Sequence, residues 1–97
     1  KVNNGSIVMH KAVVSSYAEI GSNCIINSSS LIEHGVKVGN HTHVSTGTIL
    51  NGDCKVGNNS FIGSGTIVKE GVKIGNLCII GMGQIIKKNI KDNQIVK

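Results

Sequence analysis

Residues 20–39 read Ile20-Gly21-Ser22-Asn23-Cys24-Ile25-Ile26-Asn27-Ser28-Ser29-Ser30-Leu31-Ile32-Glu33-His34-Gly35-Val36-Lys37-Val38-Gly39. Ile20, Ile26, Ile32 and Val38 stand six apart. Continued in both directions, the same step runs from Val8 to Ile86, and all fourteen positions on it are aliphatic. Four places after each comes a second series, which begins Ala12, Ala18, Cys24, Ser30, Val36 and Thr42. Twelve of its fourteen members are small or Val, the exceptions being Gln84 and Ile90. A helix of period 3.6 cannot hold a six-residue register, whereas a strand whose inward residues are two apart can. The small position and the next aliphatic position are two apart, so both point inward on one short strand.

Such hexads build an all-β solenoid, a parallel β-helix with three strands and 18 residues per coil. Fourteen hexads span residues 8–91, just under five coils, leaving 1–7 and 92–97 outside the repeat. Known β-helices of the hexapeptide class are left-handed, against the usual crossover rule. The 18-residue period sorts the outward residues by side. A charged side carries Glu19, Lys37, Lys55, Lys73 and Lys91, with glycine recurring at Gly21, Gly39, Gly57 and Gly75. A second side carries Val13, Leu31, Ile49, Ile67 and Ile85, and a third carries Ile25, His43, Phe61 and Ile79. Two adjacent apolar sides imply a partner, and a cyclic homotrimer satisfies both by closing a heterologous contact.

The composition agrees. One Phe, one Tyr and no Trp leave a core of aliphatics, and thirteen glycines without proline indicate many tight turns. A net charge of +5 carried by lysine alone, without arginine or interleaved aromatics, argues against nucleic acid. No apolar run is long enough to span a membrane and no leader opens the chain, so the expected compartment is cytoplasmic. Cys24, Cys54 and Cys78 all occupy the small inward position, where a free thiol behaves as a small hydrophobe.

Three of the four histidines fall between Glu33 and Val44. The repeat separates them. His34 ends the strand that begins at Leu31, His41 lies at another corner, and His43 points outward between Ile25 and Phe61. In the trimer, the side ending at His34 faces the neighbour's side carrying His43 and Asn27. One coil above His34 stands Gly52, where a substrate can approach the backbone closely.

Cys24-Ile25-Ile26-Asn27-Ser28, Ile32-Glu33-His34, His43 and Gly52 together resemble the sialic-acid and bacterial amino-sugar acetyltransferases, left-handed β-helix enzymes that use acetyl-CoA. The resemblance implies His34 as general base and the Gly52 N–H as oxyanion donor. It implies contacts to acetyl-CoA from His43, Ser64 and Met82, and to the acceptor sugar from Asn27. Transfer would pass directly through a tetrahedral intermediate, with no metal. The chain departs from the pattern at Gly35, where relatives commonly carry an acid after the histidine; Glu33 is the alternative support. It also lacks the relatives' small N-terminal sugar-binding domain and their C-terminal Gly-x-Pro-Ala segment. Residues 1–7 therefore read as a linker remnant, and 92–97 as a truncated tail. The rival readings are a trimerisation scaffold without activity and a zinc enzyme like the γ-class carbonic anhydrases.

Overall fold

The computed structural model describes all 97 residues and contains fifteen two-residue strands and no helix. They form the three parallel sheets of a triangular solenoid. On the Phe61 side lie β1 (Ile7–Val8), β4 (Ile25–Ile26), β7 (His43–Val44), β10 (Phe61–Ile62), β13 (Ile79–Ile80) and β15 (Ile95–Val96). The Leu31 side holds β2 (Val13–Val14), β5 (Leu31–Ile32), β8 (Ile49–Leu50), β11 (Ile67–Val68) and β14 (Ile85–Ile86). The lysine side holds β3 (Glu19–Ile20), β6 (Lys37–Val38), β9 (Lys55–Val56) and β12 (Lys73–Ile74). From β1 to β14 the paired strands stand 18 residues apart in register, as Leu31 does with Ile49 and Lys37 with Lys55. This is the architecture of the left-handed parallel β-helix, with about five coils.

Of 61 backbone hydrogen bonds only 12 lie within strands, so the ladder continues through the turns. From Ile20 to Ile86 every aliphatic position of the hexad is at most 5% exposed. Val8 (40% exposed) and Val14 also point inward, at the lower end of the stack. The small inward positions divide by column. Ser6, Cys24, Thr42 and Ser60 donate from Oγ or Sγ to the carbonyls of Gly21, Gly39, Gly57 and Gly75, and Ser30, Thr48 and Thr66 donate to Ser45, Gly63 and Gly81. The third column, Ala18, Val36, Cys54 and Val72, is apolar. Cys24 and Cys78 are therefore thiol donors in a hydrogen-bonded column, and only Cys54 is the plain hydrophobe expected of all three.

Every sixth residue from Gly5 to Gly83 has φ between 54° and 77°. Glycine, asparagine and aspartate tolerate that left-handed region best, and they fill nine of those fourteen turns; proline, fixed near −65°, is incompatible with it. The glycines at 21, 39, 57 and 75 answer a different need. A Cβ on Gly21 would stand 2.5 Å from Asn40 Oδ1 and 2.7 Å from the Gly39 carbonyl. That closeness lets Asn40, Asn58, Asn76 and Asp92 each accept, through Oδ1, the N–H of the equivalent residue one coil below.

The hexad breaks after Ile86. Ile90 pairs with Ile74, and Ile95 with Ile79, each across 16 residues. Ile90 is thus a strand-type residue rather than a member of the small inward series, and Asn89, not Lys91, lies beside Lys73. The stack reaches past residues 8–91 at both ends, through Ile95–Val96 above and the Val2–Ile20 bridge below.

Candidate functional site

The turn from the Leu31 side to the lysine side stacks Ser15-Ser16-Tyr17, Glu33-His34-Gly35, Asn51-Gly52-Asp53 and Lys69-Glu70-Gly71 at successive levels. Backbone bonds hold the levels together: Asp53 N–H donates to the His34 carbonyl at 3.0 Å, and Gly71 N–H to the Gly52 carbonyl at 3.0 Å. His34 is exposed at this corner, and its ring stands edge-on to that of Tyr17, 5.2 Å between centroids and 71° between planes. Tyr17 itself is 80% exposed.

Gly52 stands apart from the other twelve glycines. Six have positive φ, and the remaining six carry a backbone or side-chain atom within 3.1 Å of where a Cβ would be. At Gly52 φ is ordinary, and the nearest atom to a Cβ is the His34 carbonyl oxygen at 3.6 Å, a normal contact. The fold does not require glycine there. Its N–H makes no hydrogen bond within the chain, and it lines a recess of about 300 Å³ with Asn51, Lys69 and Glu70.

Gly35 has φ +73°, and the space a Cβ would take is filled by Asp53 Oδ1 from the coil above. An acid at position 35 would meet both that left-handed backbone and the Asp53 carboxylate. Glu33 is half-buried beside His34 without a hydrogen bond to it.

The other sequence-assigned residues lie elsewhere on the subunit. Asn27 Nδ2 is 3.4 Å from His43 Nε2, while Asn27 Oδ1 accepts the Ser28 N–H at 2.7 Å. His43 also meets Phe61 edge-on at 5.2 Å. Ser64 and Met82 sit exposed at the turn between the Phe61 and Leu31 sides, where the Ser64 carbonyl accepts from Gly83 N–H. One chain therefore brings together Glu33, His34 and Gly52, and separately Asn27 and His43, but does not join the two sets. His41 is an exposed turn residue with φ +57°. Within the chain no three His, Cys, Asp or Glu side chains converge as a metal site would require.

Burial, then the Asp53 charge, push the Cys54 thiol up to about 12. It stays protonated at neutral pH and is no nucleophile. Asn51, Asp53, Lys69 and Glu70 escaped the reading of the sequence, although the 18-residue step that found Gly52 reaches all four from Glu33, His34 and Gly35.

Two family models match: bacterial transferase hexapeptide (six repeats) over residues 53–83, and hexapeptide repeat of succinyl-transferase over residues 17–51. Among curated protein sequences none matches. Among solved structures, the acetyltransferase domain of PglB from Neisseria gonorrhoeae FA1090 is 30% identical with a TM-score of 0.93, over 94% of this chain and 44% of that one. PerB from Caulobacter crescentus, solved with CoA and GDP-perosamine, is 25% identical with a TM-score of 0.82, over 93% and 52%. Serine acetyltransferase isoform 3 from Entamoeba histolytica, at 23% identity and a TM-score of 0.84 over 90% and 34%, shares the fold. The chain spans about half or less of each of these proteins.

Proposed function

We propose that this chain, a member of the hexapeptide-repeat transferases, is the β-helix of an acetyl-CoA-dependent acetyltransferase whose acceptor is a sugar or a nucleotide-linked amino sugar. The observation that carries this reading is Gly52, a glycine the fold does not need, one coil above an exposed histidine. The likeness to the PglB domain and to PerB with its CoA and GDP-perosamine supports the choice of substrates.

His34 takes a proton from the acceptor amine or hydroxyl as it attacks the thioester carbonyl; imidazole suits the task because it titrates near neutrality. The Gly52 N–H donates to the oxyanion, usually a large contribution. The adduct collapses as the C–S bond breaks, and the thiolate of CoA recovers the proton from the His34 imidazolium. Glu33 lies beside this base. The two apolar sides pack in a homotrimer, where the neighbour's His43, Ser64 and Met82 meet acetyl-CoA and Asn27 meets the acceptor. The proposed compartment is the cytoplasm.

Acetyl transfer to a panel of amino sugars and sialic acids by wild type and His34→Ala tests the reading; near-normal turnover in the variant sinks it. A pure trimerisation scaffold is the second reading, favoured by the exposed Ile7, Val13, Ile79 and Ile85. It predicts no change in melting temperature on adding acetyl-CoA, whereas a ligand bound only by the folded protein raises it.

A further inference from the structure

We propose that Asn51 makes this site selective for amine over hydroxyl acceptors, an inference that rests on His34 acting as the base. Asn51 Nδ2 donates to the Val68 carbonyl one coil up at 2.9 Å. That bond fixes which end of the amide is which, because a carbonyl accepts only from the nitrogen. Oδ1 then has no partner within the chain. No buried side-chain polar atom lacks a partner, so Oδ1 reaches the surface. The surface beside Asn51 is the recess it shares with Gly52, Lys69 and Glu70.

In this proposal the donor at the recess is the Gly52 N–H and the acceptor is Asn51 Oδ1, both one coil above His34. Attack by R–NH2 forms the C–N bond, gives one proton to His34, and leaves one on nitrogen. The adduct then has an oxyanion seeking a donor and an N–H seeking an acceptor, which is the pair supplied. Attack by R–OH gives its only proton to His34, so its ether oxygen would face Oδ1 lone pair to lone pair. In both cases C–S cleavage releases the thiolate, which takes the proton from His34. A site whose polar group is left unpaired by the wrong substrate discriminates far more strongly than an apolar one. Asn51 is thus a specificity-determining residue, locked by Val68 rather than by the substrate.

The test compares kcat/KM for GDP-perosamine and for the matching GDP-linked 6-deoxyhexose with a hydroxyl in place of the amine, in wild type and Asn51→Leu. Folding of the variant is checked by circular dichroism and acetyl-CoA binding. Wild type should favour the amine by at least roughly 100-fold, and the variant should lose most of that ratio through the amine arm, as expected for one lost polar contact in the transition state. Should wild type acetylate neither sugar, the sugar assignment fails. The ratio is then read from enzyme-dependent CoA release with methylamine against methanol, which like the sugar hydroxyl has a single proton to give. An unchanged ratio in Asn51→Leu, or an equal loss with both nucleophiles, overturns the role of Asn51. No enzyme-dependent release with any nucleophile overturns both proposals.

Discussion

Asp53 reaches down one coil to Gly35, its carboxylate filling the space any side chain at position 35 would need. An acid directly after His34 would have to turn that exposed carboxylate aside and take up a backbone φ of +73°.

Gly35→Asp alone is therefore expected to destabilise the protein by about 1–3 kcal/mol, from overcrowding at a left-handed backbone position. Gly35→Asp with Asp53→Gly should recover much of that loss. Urea denaturation of both variants checks it; additive effects would show the residues do not compete.

Gly52→Ala should leave the melting curve within about 0.5 kcal/mol of wild type, since its Cβ meets nothing closer than 3.6 Å. Turnover should fall roughly 100-fold, because a methyl displaces the thioester from its donor. The contrasting variant is Gly39→Ala, whose Cβ would lie 2.8 Å from the Gly57 carbonyl carbon. It should lose about 1–3 kcal/mol through overpacking.

His34→Ala should retain the fold and lose roughly 10²–10⁴ in kcat, the usual share of a general base. Sedimentation of the same variant should match wild type, since His34 is exposed and supports no core contact.

Cys54 sets a pH dependence. Its thiol is raised from 9.0 to about 12 in the folded protein, so the folded state holds this proton more tightly than the unfolded one. The associated stability is complete below pH 9 and is lost as pH rises towards 12. Cys54→Val, matching Val36 and Val72 in the same column, should remove that part of the alkaline loss. Thermal melts of both proteins from pH 8 to 11 measure the difference.

The body of the coil was legible because one physical demand, an inward aliphatic on every two-residue strand, leaves the same mark every six residues. The ends were less so. The shortened final coil hides behind Ile90, which fits either inward series. At the site, His34 and Gly52 stood out by residue type and by the 18-residue step. Asn51 did not, because its meaning lies in which way its amide is turned, and that is set by the Val68 carbonyl. Gly35 drew attention as an absence; the left-handed backbone and the Asp53 carboxylate that an acid would meet there show only in the structure.

The uniform 18-residue step also makes the molecule a ruler. Each coil adds about 4.8 Å, so the height of Ser64 or Met82 above His34 can change only by whole coils. Duplicating residues 57–74, which begin and end within the same repeat phase, would raise everything above them by one graduation while leaving the His34–Gly52 pair untouched. A co-substrate spanning those levels would then be gauged by length, one coil at a time.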